Sequence, residues 1–354
     1  MLLKSFVTFL AATQAVTADS SHSMHFRKSR RYKAMSMPSS RDIAGRDDGS
    51  LVNEQGFWFS HFTVGASKDL EILIDTGSSD AIMNPGIYQP SPASQDQGRR
   101  FRIAYATTNP DGSGSLAASG KVYRDVVTQL GANLTVTQQV IGAIDSPSSP
   151  PTFPHDGLIG YGAPQGSLAG NPFLFSLCDS HTLSACRFGL ALRTDGTGQL
   201  HYGTVVTDEF SGELTTVKTR DLWSVSGGIT VDGKVVSDNL YLATDSGTTV
   251  IFGPTSVVSK VFKAAGIKQV TVENGIQGHY SCSNAPTIGF NLGGKNFNID
   301  PKALAFKKDG DDCTASLLGT TDFGNTWLVG QAFFQGRYID HNVDDGTMGF
   351  ANLK

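Results

Sequence analysis

Ile72-Leu73-Ile74-Asp75-Thr76-Gly77-Ser78 and Leu240-Tyr241-Leu242-Ala243-Thr244-Asp245-Ser246-Gly247-Thr248 repeat one short design: an apolar run, an aspartate, a hydroxyl residue, a glycine and a second hydroxyl residue. Each copy has a follower, an apolar pair closed by glycine, at Leu158-Ile159-Gly160 and at Leu328-Val329-Gly330. The interval from aspartate to the follower's glycine is 85 residues in both halves. A single Asp-hydroxyl-Gly triplet also marks ordinary turns. Two copies with matched followers indicate two homologous lobes, each contributing one carboxylate.

The residue types fit a shared task. Two carboxylates that hold one water need their loops to approach closely, and Gly77 and Gly247 remove the Cβ atoms that would keep the backbones apart. The hydroxyls of Thr76 and Ser246 are then placed to bond across to the opposite loop. Those of Ser78 and Thr248 are placed to bond the outer carboxylate oxygens, the kind of support that holds a reactive pair within narrow tolerance. Asp75 and Asp245 are therefore the expected catalytic residues.

Composition agrees with such a scaffold. The 354 residues are 39% hydrophobic and only 17% charged, enough to bury a sizeable core. Forty glycines among frequent Ser, Thr and Val favour short strands joined by turns, so the expected class is all-β.

The first eighteen residues place Lys4 ahead of an apolar stretch and end in small residues at Val16 and Ala18, the layout of a secretory signal peptide. A membrane anchor would need roughly 18 to 20 uninterrupted apolar residues, and Thr13 and Gln14 break a shorter run. Residues 19–48 carry seven basic side chains against four acidic ones and show no apolar period. A propeptide over 19–46 is expected, with Arg30-Arg31 and Arg46 as processing sites. What remains is acidic, with 20 basic against 28 acidic side chains, which argues against a nucleic-acid partner. The four cysteines of a secreted chain point to disulfides, and local bridges Cys178–Cys186 and Cys282–Cys313 are the simplest of three pairings. Scattered histidines without H-E-x-x-H give no metal site, and no G-x-S-x-G elbow supports a serine hydrolase. Asn133-Leu134-Thr135 is an N-glycosylation acceptor.

Over residues 50–354 the chain resembles the pepsin family of aspartic peptidases, in particular its secreted fungal members. The resemblance rests on the two Asp loops, on Phe101-Arg102-Ile103-Ala104-Tyr105, on Asp156-Gly157-Leu158-Ile159-Gly160, and on Trp327-Leu328-Val329-Gly330-Gln331 followed by Gly349-Phe350-Ala351. It implies a bilobal pepsin-like fold, with an N-terminal lobe over 47–205 and a C-terminal lobe over 206–354. It also implies a secreted endopeptidase that is best at acid pH, works as a monomer on polypeptides without cofactor or metal, and closes a flap carrying Tyr105 over the substrate. Cys282 and Cys313 fall where the family's second-lobe disulfide is found, and Lys33 where a propeptide lysine can meet the active-site carboxylates. The departures lie in the flap. Ala106 replaces a glycine, Thr107 to Pro110 look inserted, and Ile82 stands where the family has a tryptophan that hydrogen-bonds the flap tyrosine. Ser246 is a conservative exchange. The rival expectation, a pepsin-like cleft that binds peptide without cutting it, calls for loss of an Asp or Gly from the paired loops, and none is lost.

Overall fold

The computed structural model describes residues 49–354 except 55, 107, 108, 110, 113, 147–152, 168 and 169. The expected signal peptide, propeptide, processing sites and Lys33 lie outside the described residues.

The apolar run before the first aspartate becomes the strand Ser67–Asp75, in which Ile72, Leu73 and Ile74 are all buried. A continuous apolar run suits a strand covered on both faces. It pairs antiparallel with Phe57–Val64 and parallel with Gly157–Gly160, which sets Asp75 opposite Gly160. The second half repeats this arrangement. Lys234–Thr244 pairs antiparallel with Ser224–Val231 and parallel with Thr326–Val329, setting Thr244 opposite Val329. A third strand joins each unit: Ala81–Met83 lies antiparallel to Gly157–Gly160, and Ile251–Pro254 antiparallel to Thr326–Val329. The equal spacing of motif and follower is thus the register of a parallel strand pair built twice.

The two halves stand on a common sheet. Its strands run Gly49–Glu54, Thr197–Tyr202, Arg187–Leu192, Arg337–Asn342, Thr347–Asn352 and Thr215–Asp221, each hydrogen-bonded antiparallel to the next. The chain's last two strands therefore sit between strands from earlier parts of both halves, so the base of the fold is continuous backbone hydrogen bonding.

Among the described residues helices are few and short. The longest, Thr255–Ala264, buries Val258, Val261 and Phe262, the i, i+3, i+4 stripe of one apolar face. Cys178, near the end of the helix Phe173–Asp179, is bonded to Cys186, just before the strand Arg187–Leu192. Cys282 is bonded to Cys313. Asn133 is exposed, with φ of 52°, in the turn between the strands Ser115–Gln129 and Leu134–Ser146. Among the described residues no helix is long and apolar enough to cross a membrane.

Candidate active site

Asp75 ends its strand and Asp245 follows its own, so both carboxylates emerge where the parallel pairs stop. The loops then interlock reciprocally. The Thr76 N–H donates to Ser246 Oγ at 3.0 Å and the Ser246 N–H donates to Thr76 Oγ1 at 2.9 Å. Ser246 Oγ in turn donates to the Ile74 carbonyl at 2.8 Å, and Thr76 Oγ1 reaches the Thr244 carbonyl at 3.5 Å. Each hydroxyl both accepts from and donates to the opposite half, so the two loops are held together reciprocally.

The glycines set the closeness. A Cβ on Gly77 would lie 2.5 Å from Asp245 Cγ, and one on Gly247 would lie 2.3 Å from Asp75 Oδ1. No side chain larger than hydrogen fits either position without parting the carboxylates. Their backbone amides serve the site as well. Gly77 N–H donates to Asp75 Oδ1 at 2.8 Å, and Gly247 N–H donates to Asp245 Oδ1 at 2.7 Å. Ser78 Oγ donates to Asp75 Oδ2, and Thr248 Oγ1 donates to Asp245 Oδ2 at 2.6 Å.

Both carboxylates are buried, at 6% and 7% exposure. Burial pushes the Asp75 carboxyl well above its ordinary range and the nearby Asp245 charge pushes it further, against the hydrogen bonds from Ser78 and Gly77. Asp245 is raised too, by burial, although Thr248 and Gly247 pull the other way. Two facing carboxylates in a dry site cannot both ionise, so the pair retains a proton into mildly acidic conditions.

Beside them lies a cavity of about 30 Å³ bounded by Asp75, Gly77, Asp245 and Gly247 on one side and by Leu73, Tyr105, Phe153 and Leu158 on the other. That volume is enough to hold water beside the carboxylates. Tyr105 sits on the strand Gln95–Ala106, paired with Leu116 in a hairpin. Its hydroxyl is buried beside Ser78 without meeting hydrogen-bond geometry among the described residues, and the buried Ile82 has no polar group to offer it. Burial and the charges of Asp80 and Asp75 keep the phenol protonated. In the hairpin tip, Gly112 has φ of 75°, and a Cβ there would lie 2.5 Å from Val250 Cγ2. Gly112 thus lies close against the opposite half.

The eukaryotic aspartyl protease family model matches residues 57–353. The chain belongs to that family. An aspartic protease of Phaffia rhodozyma is 30% identical over 330 residues, covering 85% of this chain and 78% of its own. A protein named secreted aspartyl protease 1 in Malassezia globosa is 27% identical over 320 residues, covering 88% and 77%. The solved structure of an aspartic proteinase from Irpex lacteus superposes with a TM-score of 0.73 over 87% of this chain and 98% of its own, at 18% identity, a likeness of fold. The expected all-β, bilobal pepsin-like architecture is therefore observed.

Several contacts around this site carried no signal in the sequence. Trp223 Nε1 donates to the Tyr161 carbonyl at 2.8 Å, joining the two halves beneath the aspartates. Gln331 Nε2 donates to the Ser246 carbonyl. Asn84 and Phe153, 69 residues apart, bond each other at the cavity wall.

Proposed function

We propose that this chain is a secreted aspartic endopeptidase in which Asp75 and Asp245 together activate one water molecule. The observation that carries this reading is the reciprocal interlock, with each glycine pressed against the other lobe's carboxylate. An arrangement that costs two buried acids and tolerates no Cβ has no evident value to a scaffold that only binds.

The ionised carboxylate accepts a proton from the water as its oxygen attacks the scissile carbonyl carbon, while the protonated partner donates to the carbonyl oxygen. The resulting gem-diol collapses as the carboxyl that took the water's proton gives it to the nitrogen, the other carboxylate takes a proton from a gem-diol hydroxyl, and the carbon–nitrogen bond breaks, giving a carboxyl and an amine. One proton is shared throughout, so no metal or organic cofactor enters. Thr76, Ser246, Ser78 and Thr248 hold the pair in place, and Tyr105 with its hairpin excludes bulk water and bonds the substrate backbone.

Polypeptides are the substrates, taken by a monomer whose N-terminal lobe spans 47–205 and C-terminal lobe 206–354. Secretion rests on residues 1–18 and on the relatives named secreted in Malassezia globosa and Candida albicans. Residues 19–46 act as a basic propeptide over the acidic cleft, and Asn133 carries N-linked glycan. The test is incubation of the purified protein with denatured globin at acid and neutral pH, with and without pepstatin. Cleavage confined to acid and stopped by pepstatin is expected; an intact substrate at every pH rejects the reading.

A further inference from the structure

Tyr105 has a steadying contact that is not a hydrogen bond. Its ring meets Phe153 edge to face, with centroids 4.9 Å apart and planes at 87°. Ile82, fully buried in the same apolar cluster, offers its hydroxyl no donor. The strand pairing sets the tyrosine's backbone, and Phe153 sets the aromatic contact of its ring.

Phe153 is fixed through its backbone by one side chain. Its N–H donates to Asn84 Oδ1 at 3.0 Å, while Asn84 Nδ2 donates to the Phe153 carbonyl at 2.8 Å and to the His155 carbonyl at 2.7 Å. Asn84 is itself 5% exposed, and its own N–H donates to the Asp156 carbonyl at 3.0 Å. A second fastening holds the far end of the stretch, where His155 Nδ1 lies 2.8 Å from Glu71 Oε2 and its ring packs on Phe59 at 4.3 Å. Only an amide supplies an acceptor and two donors at that point; a carboxylate or an aliphatic group of the same size loses two or all three bonds.

We propose that Asn84 is a positioning residue of the cleft. By clamping residues 153–155 it seats the Phe153 ring against the Tyr105 ring, fixes the face of the flap tyrosine, and so sets the fit of the substrate side chain beside the scissile bond. The inference rests on the peptidase reading, and it names an apolar side chain as the group that meets this aromatic wall.

The test measures kcat and KM at one acid pH on two peptides that differ only in the residue before the cut, phenylalanine or alanine. The enzymes are wild type, Asn84→Leu, Phe153→Leu and the double variant, each quantified by titration with a tight-binding inhibitor. Asn84→Leu should lose about two- to tenfold in kcat/KM on the phenylalanine peptide, the range an aromatic contact is worth, and distinctly less on the alanine peptide. Phe153→Leu should reproduce that pattern, and the double variant should be no worse than Phe153→Leu by more than about twofold, because coupled residues are not additive. Equal losses on both peptides, or losses that multiply in the double variant, overturn the inference. If Asn84→Leu does not fold, Phe153→Leu decides alone: it keeps the clamp, and an unchanged ratio between the peptides overturns the proposal. A wild type that cleaves neither peptide overturns the peptidase reading itself, and the inference with it.

Discussion

Replacing Gly77 by alanine probes the closeness of the two loops. The new Cβ would lie 2.5 Å from both Cγ and Oδ1 of Asp245, inside the 3.4 Å at which ordinary contact begins. Relief requires a shift of about 0.9 Å, and two routes are open. If the loops part, the cross-loop bonds of 3.0, 2.9 and 2.8 Å stretch beyond hydrogen-bonding distance. Their loss costs about 1.5–4.5 kcal/mol, at roughly 0.5–1.5 kcal/mol for each bond. If instead Asp245 turns away, it gives up the 2.7 Å bond from Gly247 N–H. Either route displaces a carboxylate by nearly the full shift, and a misplacement on that scale costs on the order of 100-fold in rate. The assay is kcat/KM on a quenched peptide at acid pH, paired with a thermal melt at the same pH. Activity within about threefold of wild type, with an unchanged melt, would show that the carboxylates are not held in contact by the glycines.

Two further predictions follow from the same structure. Because burial raises both aspartates in the folded state, the stability linked to them is fully present below about pH 4, where the unfolded chain is also protonated, and is lost as pH rises through the folded values. Wild type should therefore melt at a lower temperature at neutral than at acid pH, and Asp75→Asn should flatten that slope; parallel curves for the two proteins would contradict the assignment. The disulfides should differ in worth, because Cys282–Cys313 spans 31 residues and Cys178–Cys186 only 8. Loop entropy gives about 3–4 kcal/mol for the first and about 2–3 kcal/mol for the second, so serine pairs at 282 and 313 should lower the denaturation midpoint more than serine pairs at 178 and 186, and the reverse order would refute the entropic account.

What the sequence disclosed was what is written locally. Asp75-Thr76-Gly77-Ser78 and its partner copy carry their own chemistry, since a missing Cβ, a hydroxyl and a carboxylate within four residues constrain one another wherever the chain goes. The apolar runs ahead of them announced buried strands because Ile72, Leu73 and Ile74 leave no polar face. What stayed hidden was long-range pairing. Nothing in Arg337–Asn342 indicates that it will lie against Arg187–Leu192 and tie the halves into a common sheet. Asn84 reads as a turn former before Pro85, yet its amide serves a backbone 69 residues away. Asp125 reads as a surface acid in a strand, yet it is fully buried and gathers Tyr88 and the backbone and hydroxyl of Ser91. The contact of Gly112 with Val250 likewise follows from how the hairpin lies against the opposite half.

The central claim, that two carboxylates act as one catalytic unit, is tested most directly by kcat for Asp75→Asn, Asp245→Asn and the double variant, in protein shown to be folded and free of contaminating protease. Asparagine keeps the size of the side chain and can accept from the same loop amides, so the lobes should stay together. It cannot exchange a proton with the water, and the remaining carboxylate cannot serve as acid and base in one step. Each single variant should fall by on the order of 1,000-fold or more, and the double variant should be hardly slower than either, because residues that act as a unit are not additive. Either single variant retaining more than about one hundredth of the wild-type rate, or a double variant slower by the product of the two losses, would contradict the account.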